Sequence, residues 1–190
     1  GLLLAIFQQF IGINVIFYYS NTLWESVGFS TTDSSLITVG TAITNVVTTF
    51  LAIATIDRLG RRPLLLIGSV VMTISLGLMS WAFAGAPIVN GAPVLSGASS
   101  FVTLIAANVF IFAFGFSWGP VMWVLLGEMF NNRIRALALG LTATVNWLAN
   151  FIISTTFPVF LESSGPSFAF GLYATAGAMS SFFVLFMVRE

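Results

Sequence analysis

The chain has 190 residues, 58% of them hydrophobic and 6% charged, with a formal net charge of zero. A soluble domain of this length carries about a quarter charged residues, so an ordinary soluble domain is excluded, and a mean hydropathy of +1.04 makes the lipid bilayer the solvent for most of the surface. All the basic residues are Arg, with no run beyond Arg61-Arg62, which argues against nucleic acid as a partner, and the lack of Cys and His removes disulfides, thiolate nucleophiles, most zinc sites and any Ser-His pair.

Charge-free stretches each long enough to cross a bilayer predict six helical spans, near 2–23, 35–56, 63–84, 101–127, 137–161 and 167–188. Span one carries Gln8, Gln9 and Asn14 around Gly12, then Tyr18 and Tyr19. The three amides point in different directions on an unbroken helix, and unwinding at Gly12 would gather them. Span two places Thr38, Thr41, Asn45 and Thr48 on one face about 80° wide, which is expected to line a polar path. Span three is free of amides. The stretch from 63 to 127 is too long for one helix and is divided by a Gly/Pro/Asn cluster, 85–97, read as a surface loop.

Span four carries Asn108, a helix break at Gly119 and Pro120, and Trp123; span five carries Asn146 and Asn150; span six has no amide. The amides thus fall on the first and second spans of each set of three, a weak internal symmetry. Gly/Pro-interrupted segments at corresponding positions of two repeats point to a transporter site at the midplane. A single membrane amide serves well as interhelical glue worth about 0.6 kcal/mol, but seven on four helices and none on the other two imply a cavity. Gly115 to Gly119 matches the G-x-S-x-G string of hydrolases, yet no His is present to activate Ser117, and close helix packing explains these glycines better. No acidic residue lies in mid-membrane, so no proton relay, metal site or cofactor is expected. Amides, which both donate and accept, together with a Trp face suit a neutral polyhydroxylated solute, a sugar first of all.

The arginines set the orientation. Arg58, Arg61 and Arg62 lie between spans two and three, Arg133 and Arg135 between four and five, and Arg189 after six, while the opposite loops hold Glu25, Asp33 and Glu162 and no base. The positive-inside pattern puts both termini in the cytoplasm. The chain opens on Gly1 without a signal-peptide pattern and is read as a piece of a longer protein.

Four motifs taken together, QQFIGINVIFYY from Gln8 to Tyr19, DRLGRR from Asp57 to Arg62, WGPVMW from Trp118 to Trp123 and EMFNNRIR from Glu128 to Arg135, resemble the C-terminal half of the sugar porter family of the major facilitator superfamily. The resemblance runs the length of the chain and is closer to bacterial xylose or glucose proton symporters than to animal facilitators. It implies an all-α membrane protein, the C-terminal six-helix bundle of a 3+3 inverted repeat, in the bacterial inner membrane. It further implies transport of a monosaccharide by alternating access, coupled to protons, in partnership with a missing N-terminal six-helix half, and no enzyme. Gln8, Gln9, Asn14, Asn45, Trp123 and Asn146 match the family's sugar-binding positions, and Tyr18 and Tyr19 its extracellular gate. Asp57, Arg61, Arg62, Glu128 and Arg135 match a cytoplasmic ion-pair network. Gly115 and Trp118 stand where the animal facilitators carry an acid and further prolines, and the family's P-E-T tail is not reached by Glu190. A non-transporting sugar sensor on the same fold is the alternative reading.

Overall fold

The structure, a computed structural model, describes residues 1–26, 29–89, 92–95 and 97–188. Arg189, one of the arginines behind the expected orientation, and Asn90, Gly91 and Ser96 of the expected surface loop lie outside the described residues. Almost all of the rest is helix. The first span is in three pieces, α1 (Leu2–Phe10), α2 (Ile13–Tyr18) and α3 (Ser20–Ser26). The first interruption is Gly12, whose φ of 86° and ψ of 21° are left-handed, a conformation that a residue without Cβ adopts at little cost.

The second span is α4 (Thr31–Leu59). Ser30 caps its N-terminus, its Oγ accepting from the Asp33 amide at 3.1 Å, and Asp33 adds a carboxylate to the first turn. Gly60, at φ 85°, separates α4 from α5 (Arg61–Ala84), the third span. Two short strands follow, β1 (Ile88–Val89) antiparallel to β2 (Ala92–Pro93). The fourth span divides into α6 (Ala98–Phe116) and α7 (Trp118–Met129). The last two spans are α8 (Arg135–Met187), which turns at Gly165, φ 78° and ψ 169°, directly before Pro166. Where the sequence predicts a short loop between spans five and six, the described backbone departs from helix at Gly165 alone. Both arms of α8 run to the end of the bundle where the arginines gather, since Arg62 Nη2 donates to Leu185 O at 2.7 Å and Arg135 opens the helix beside Phe130.

The expected break at Gly119 and Pro120 falls two residues earlier, at Ser117, with φ −129° and ψ −89°. Proline has no N–H to give the carbonyl four residues back, so the helix fails in the turn that precedes Pro120. The polar path expected along α4 is also corrected in part. Thr41 and Thr48 are buried, and their hydroxyls bond to carbonyls of their own helix, Thr41 to Thr38 O and Thr48 to Thr44 O. Thr48 packs against Gly115 of α6, so this portion of the face joins two helices.

Lipid offers no hydrophobic reward for bringing helices together, so close approach and interhelical bonds carry the association. Gly115 on Thr48, Gly68 on Ser117 and Gly177 on Thr73 are three such approaches. Leu64, Leu65, Met72, Phe110, Trp118 and Phe170 fill the interior, while Val46, Phe50, Trp81, Phe101, Leu137 and Phe186 cover the outside. A Cβ on Gly68 would lie 2.5 Å from Ser117 Cβ, whereas one on Gly77 meets nothing within 4 Å. Gly68→Ala is therefore expected to destabilise the complete protein by about 1–3 kcal/mol, lowering its midpoint of heat unfolding in detergent, and Gly77→Ala to leave that midpoint in place.

Candidate functional site

At the break in the first span, the amides of spans one and five bond to one another. Gln8 and Gln9 sit on the last turn of α1, Asn14 on the first turn of α2, and Asn146 on the first arm of α8. Asn146 Nδ2 donates to Gln8 Oε1 at 2.8 Å and to Ala5 O at 3.0 Å; Gln9 Nε2 donates to Asn146 Oδ1 at 3.0 Å; and Asn14 Nδ2 donates to Gln9 Oε1. Gln8 Nε2 closes the array on Trp118 O at 2.9 Å, where the fourth span is also broken. Gln8, Gln9 and Asn146 are buried and Asn14 is half-buried. Unwinding at Gly12 does gather the three amides that a continuous helix would disperse.

The remaining substrate-binding candidates are placed differently. Asn45 is half-buried on α4 and Trp123 is exposed on α7, and the side chain of neither has a hydrogen-bond partner among the described residues. Asn14 Oδ1 is also unengaged among them. Asn108 donates to Leu104 O on its own helix and takes no part.

Tyr18 and Tyr19 stand at the end of α2. Tyr18 is 58% exposed, and its hydroxyl accepts from Asn150 Nδ2 at 3.5 Å. Tyr19 donates to Ser154 O at 3.1 Å and sets its ring 5.0 Å from that of Phe157. Ser154 Oγ in turn donates to Asn150 Oδ1. The outer piece of span one is thus held to the first arm of α8 by both tyrosines.

Two residues outside the site predicted from sequence matter here. Asn150 lies one helical turn beyond Asn146, and that spacing alone puts it on the same face. Trp118 is buried, with its indole Nε1 shared between Leu65 O at 3.1 Å and Ser69 Oγ at 2.8 Å, while its own carbonyl receives Gln8. It fixes the broken fourth span to α5 and presents that carbonyl to the array. In the sequence it is legible as the first residue of the WGPVMW motif, with no sign of this bridging role.

At the opposite end, Arg61 Nη2 meets Asp57 Oδ1 at 2.9 Å and Glu128 Oε1 at 2.7 Å, and its Nε donates to Glu128 Oε2 at 3.0 Å. The ion-pair network read from the sequence has five members, and the structure joins these three. Arg62 donates to Leu185 O and Arg135 Nε to Phe130 O. Both carbonyls belong to helix C-termini, which lack in-helix donors and attract cations through the helix dipole, so the two guanidiniums bond there. Among the described residues, no group of His, Cys, Asp and Glu is arranged to hold a metal ion.

Comparison with known proteins places this geometry in context. A family profile described as "Sugar (and other) transporter" matches residues 1–190. The chain is 58% identical over 190 residues to a glucose transport protein of Synechocystis sp., covering all of this chain and 41% of that protein. It is 36% identical over 196 residues to a D-xylose-proton symporter of Escherichia coli, again covering all of this chain and 38% of that protein. A crystal structure of a D-xylose-proton symporter superposes with a TM-score of 0.86 at 36% identity, covering this chain fully and 42% of the other. An inward-open xylose transporter from E. coli superposes at 0.82 with the same identity, covering this chain fully and 38% of the other. The chain therefore spans about two fifths of the length of these relatives.

The array predicts an asymmetry in stability. Asn146→Ala removes the partner of Gln8, Gln9 and Ala5 O at once and is expected to cost the sugar-free protein about 1–3 kcal/mol. Asn45→Ala breaks no bond of this kind and is expected to leave the heat-unfolding midpoint unchanged.

Proposed function

Because the chain belongs to the family of sugar (and other) transporters, we propose that it is the C-terminal half of a carrier that moves a monosaccharide across a membrane by alternating access. It is a multi-pass membrane bundle of the major facilitator fold and not an enzyme. The observation that supports this reading best is the linked array of Gln8, Gln9, Asn14 and Asn146 at the break of the first span. Sugar hydroxyls donate and accept at once, and amides answer both demands. The array holds Asn14 with its carbonyl oxygen open among the described residues, and Asn45 and Trp123 add a second amide and an aromatic face for the apolar side of a pyranose. The missing N-terminal half closes the site from the other side.

The glucose and D-xylose carriers among the relatives support a hexose or pentose as substrate, and the symporters among them support proton coupling. A coupling acid belongs to the missing half, since Asp33, Asp57, Glu128 and Glu162 all stand near helix ends or turns. A non-transporting sensor finds no support among these relatives. The arginine-bearing end is assigned to the cytoplasm, in the inner membrane of a bacterium, on the positive-inside pattern.

The charges at that end support a conformational role. Arg61 opens α5, where the helix dipole disfavours a cation, and Asp57 and Glu128 stand in the last turns of α4 and α7, where it disfavours anions. Each charge sits at the wrong end of its own helix and is offset by the others only while the three ends adjoin. The cluster therefore favours whichever state keeps these ends together, taken here as the outward-open one.

In the complete protein reconstituted in liposomes, Gln9→Ala and Asn14→Ala are each expected to raise the half-saturation concentration for D-glucose or D-xylose by roughly tenfold or more, since a sugar hydroxyl loses its partner. Unchanged saturation in both variants rules out the site. Uptake is expected to rise with an inward proton gradient, and indifference to the gradient identifies facilitated diffusion. Arg61→Ala is expected to favour the inward-open state, read as reduced labelling of cysteines placed in the outer cavity.

A further inference from the structure

Tyr173, on the second arm of α8, is 1% exposed, and its hydroxyl has no hydrogen-bond partner among the described residues. A phenol sealed inside a protein nearly always finds a partner, because an unpaired buried hydroxyl loses its water without compensation. The position of this ring gives the exception a reason. Gly12, the left-handed residue that breaks the first span, rests on it: a Cβ built on Gly12 would lie 2.8 Å from Tyr173 Cδ2 and 3.0 Å from Cγ. The ring continues into an aromatic rank, with Phe157 at 6.4 Å and 28° and then Tyr19 at 5.0 Å and 47°. Tyr19 ends that rank on the outer piece of span one, bonded to Ser154 O.

The break above the ring also leaves acceptors without donors. Gly12 N–H turns back to Gln9 O, and the next bond to span the break runs from Ile16 N–H to Gly12 O, so among the described residues the carbonyls of Phe10 and Ile11 receive no backbone donor. The ring that Gly12 rests on thus carries an unpaired donor, and the break beside it holds two carbonyls without backbone donors among the described residues.

We infer that Tyr173 is a positioning residue for the gate: its ring is the bearing on which α2 and α3 turn about Gly12, and its hydroxyl, unpaired in the conformation described here, is paired in the alternative conformation of the carrier. The phenol then favours departure from the present conformation. Tyr173 contacts no substrate in this scheme and acts through the placement of Tyr18, Tyr19 and Asn14. The inference rests on the alternating-access reading above.

The test uses the complete carrier, freed of other cysteines and carrying Glu25→Cys and Ser163→Cys, two exposed outer positions. Spin labels there report the distance between α3 and the Gly165 turn of α8 by pulsed electron paramagnetic resonance, without any need for uptake. Tyr173→Phe keeps the ring and deletes only the hydroxyl, so a space-filling role leaves the two distance populations in their original ratio. The expected result is a shift of about tenfold toward the population that matches the present geometry, with heat stability equal or higher. A shift below twofold, or one in the opposite direction, overturns the role of Tyr173 and leaves the carrier reading intact. A single distance population in the unaltered protein, with and without D-xylose or D-glucose, overturns both.

Discussion

A backbone that crosses hydrocarbon has to find every hydrogen-bond partner inside the protein, and this chain nevertheless breaks two of its six membrane spans. The breaks at Gly12 and Ser117 are facing events. Gln8, one turn before the first, donates to the carbonyl of Trp118 just after the second, and the same amide receives Asn146 from a third helix. Side-chain amides thus take over some of the cohesion that a continuous helix would supply. The cost of an interrupted span restricts where polarity is tolerated, and the proposed site is put where that restriction is met.

The two ends of the bundle solve different problems. At the arginine-bearing end, Arg61, Asp57 and Glu128 each oppose the dipole of the helix that carries them and relieve one another across three helix ends. Exposed pairs contribute about 0.2–1 kcal/mol each, so such a cluster holds without locking. Arg62 and Arg135 lie on helix-terminal carbonyls and stabilise individual helix ends. At the other end aromatic contacts take the place of charge. Tyr19, Phe157 and Tyr173 form one rank across three spans, and the outer piece of span one rests on it with two hydroxyl bonds to α8. Ionic contacts that adjoining helix ends can release, and an aromatic rank beneath a glycine hinge, are the two features through which a rocking bundle is governed in this scheme.

Much of this was legible before the structure. Composition alone demanded a membrane solvent, because so few charges cannot cover a globule, and charge-free lengths counted the spans. The Gly/Pro signals located both breaks to within two residues, since proline acts on the turn before it and glycine on its own backbone. Amide placement marked spans one, two, four and five as the polar ones, because a polar side chain in hydrocarbon is costly wherever it has no partner.

Tertiary structure decided which of those side chains meet. Helical spacing put Thr41, Asn45 and Thr48 on one face but was silent on what the face meets; Gly115 of α6 covers Thr48, and among the described residues Asn45 retains an unengaged amide. The family resemblance likewise grouped five charges at one end, and the geometry of the helix termini divided them into a triad and two carbonyl-bound arginines. The roles of Trp118 and Tyr173 were not legible because they depend on partners more than forty residues away, Leu65 and Ser69 for one and Gly12 for the other. Local physics sets where a helix runs and where it fails, so the sequence determines the spans, their breaks and their polarity. Which faces come into contact depends on distant segments packing together, and that only the folded bundle decides.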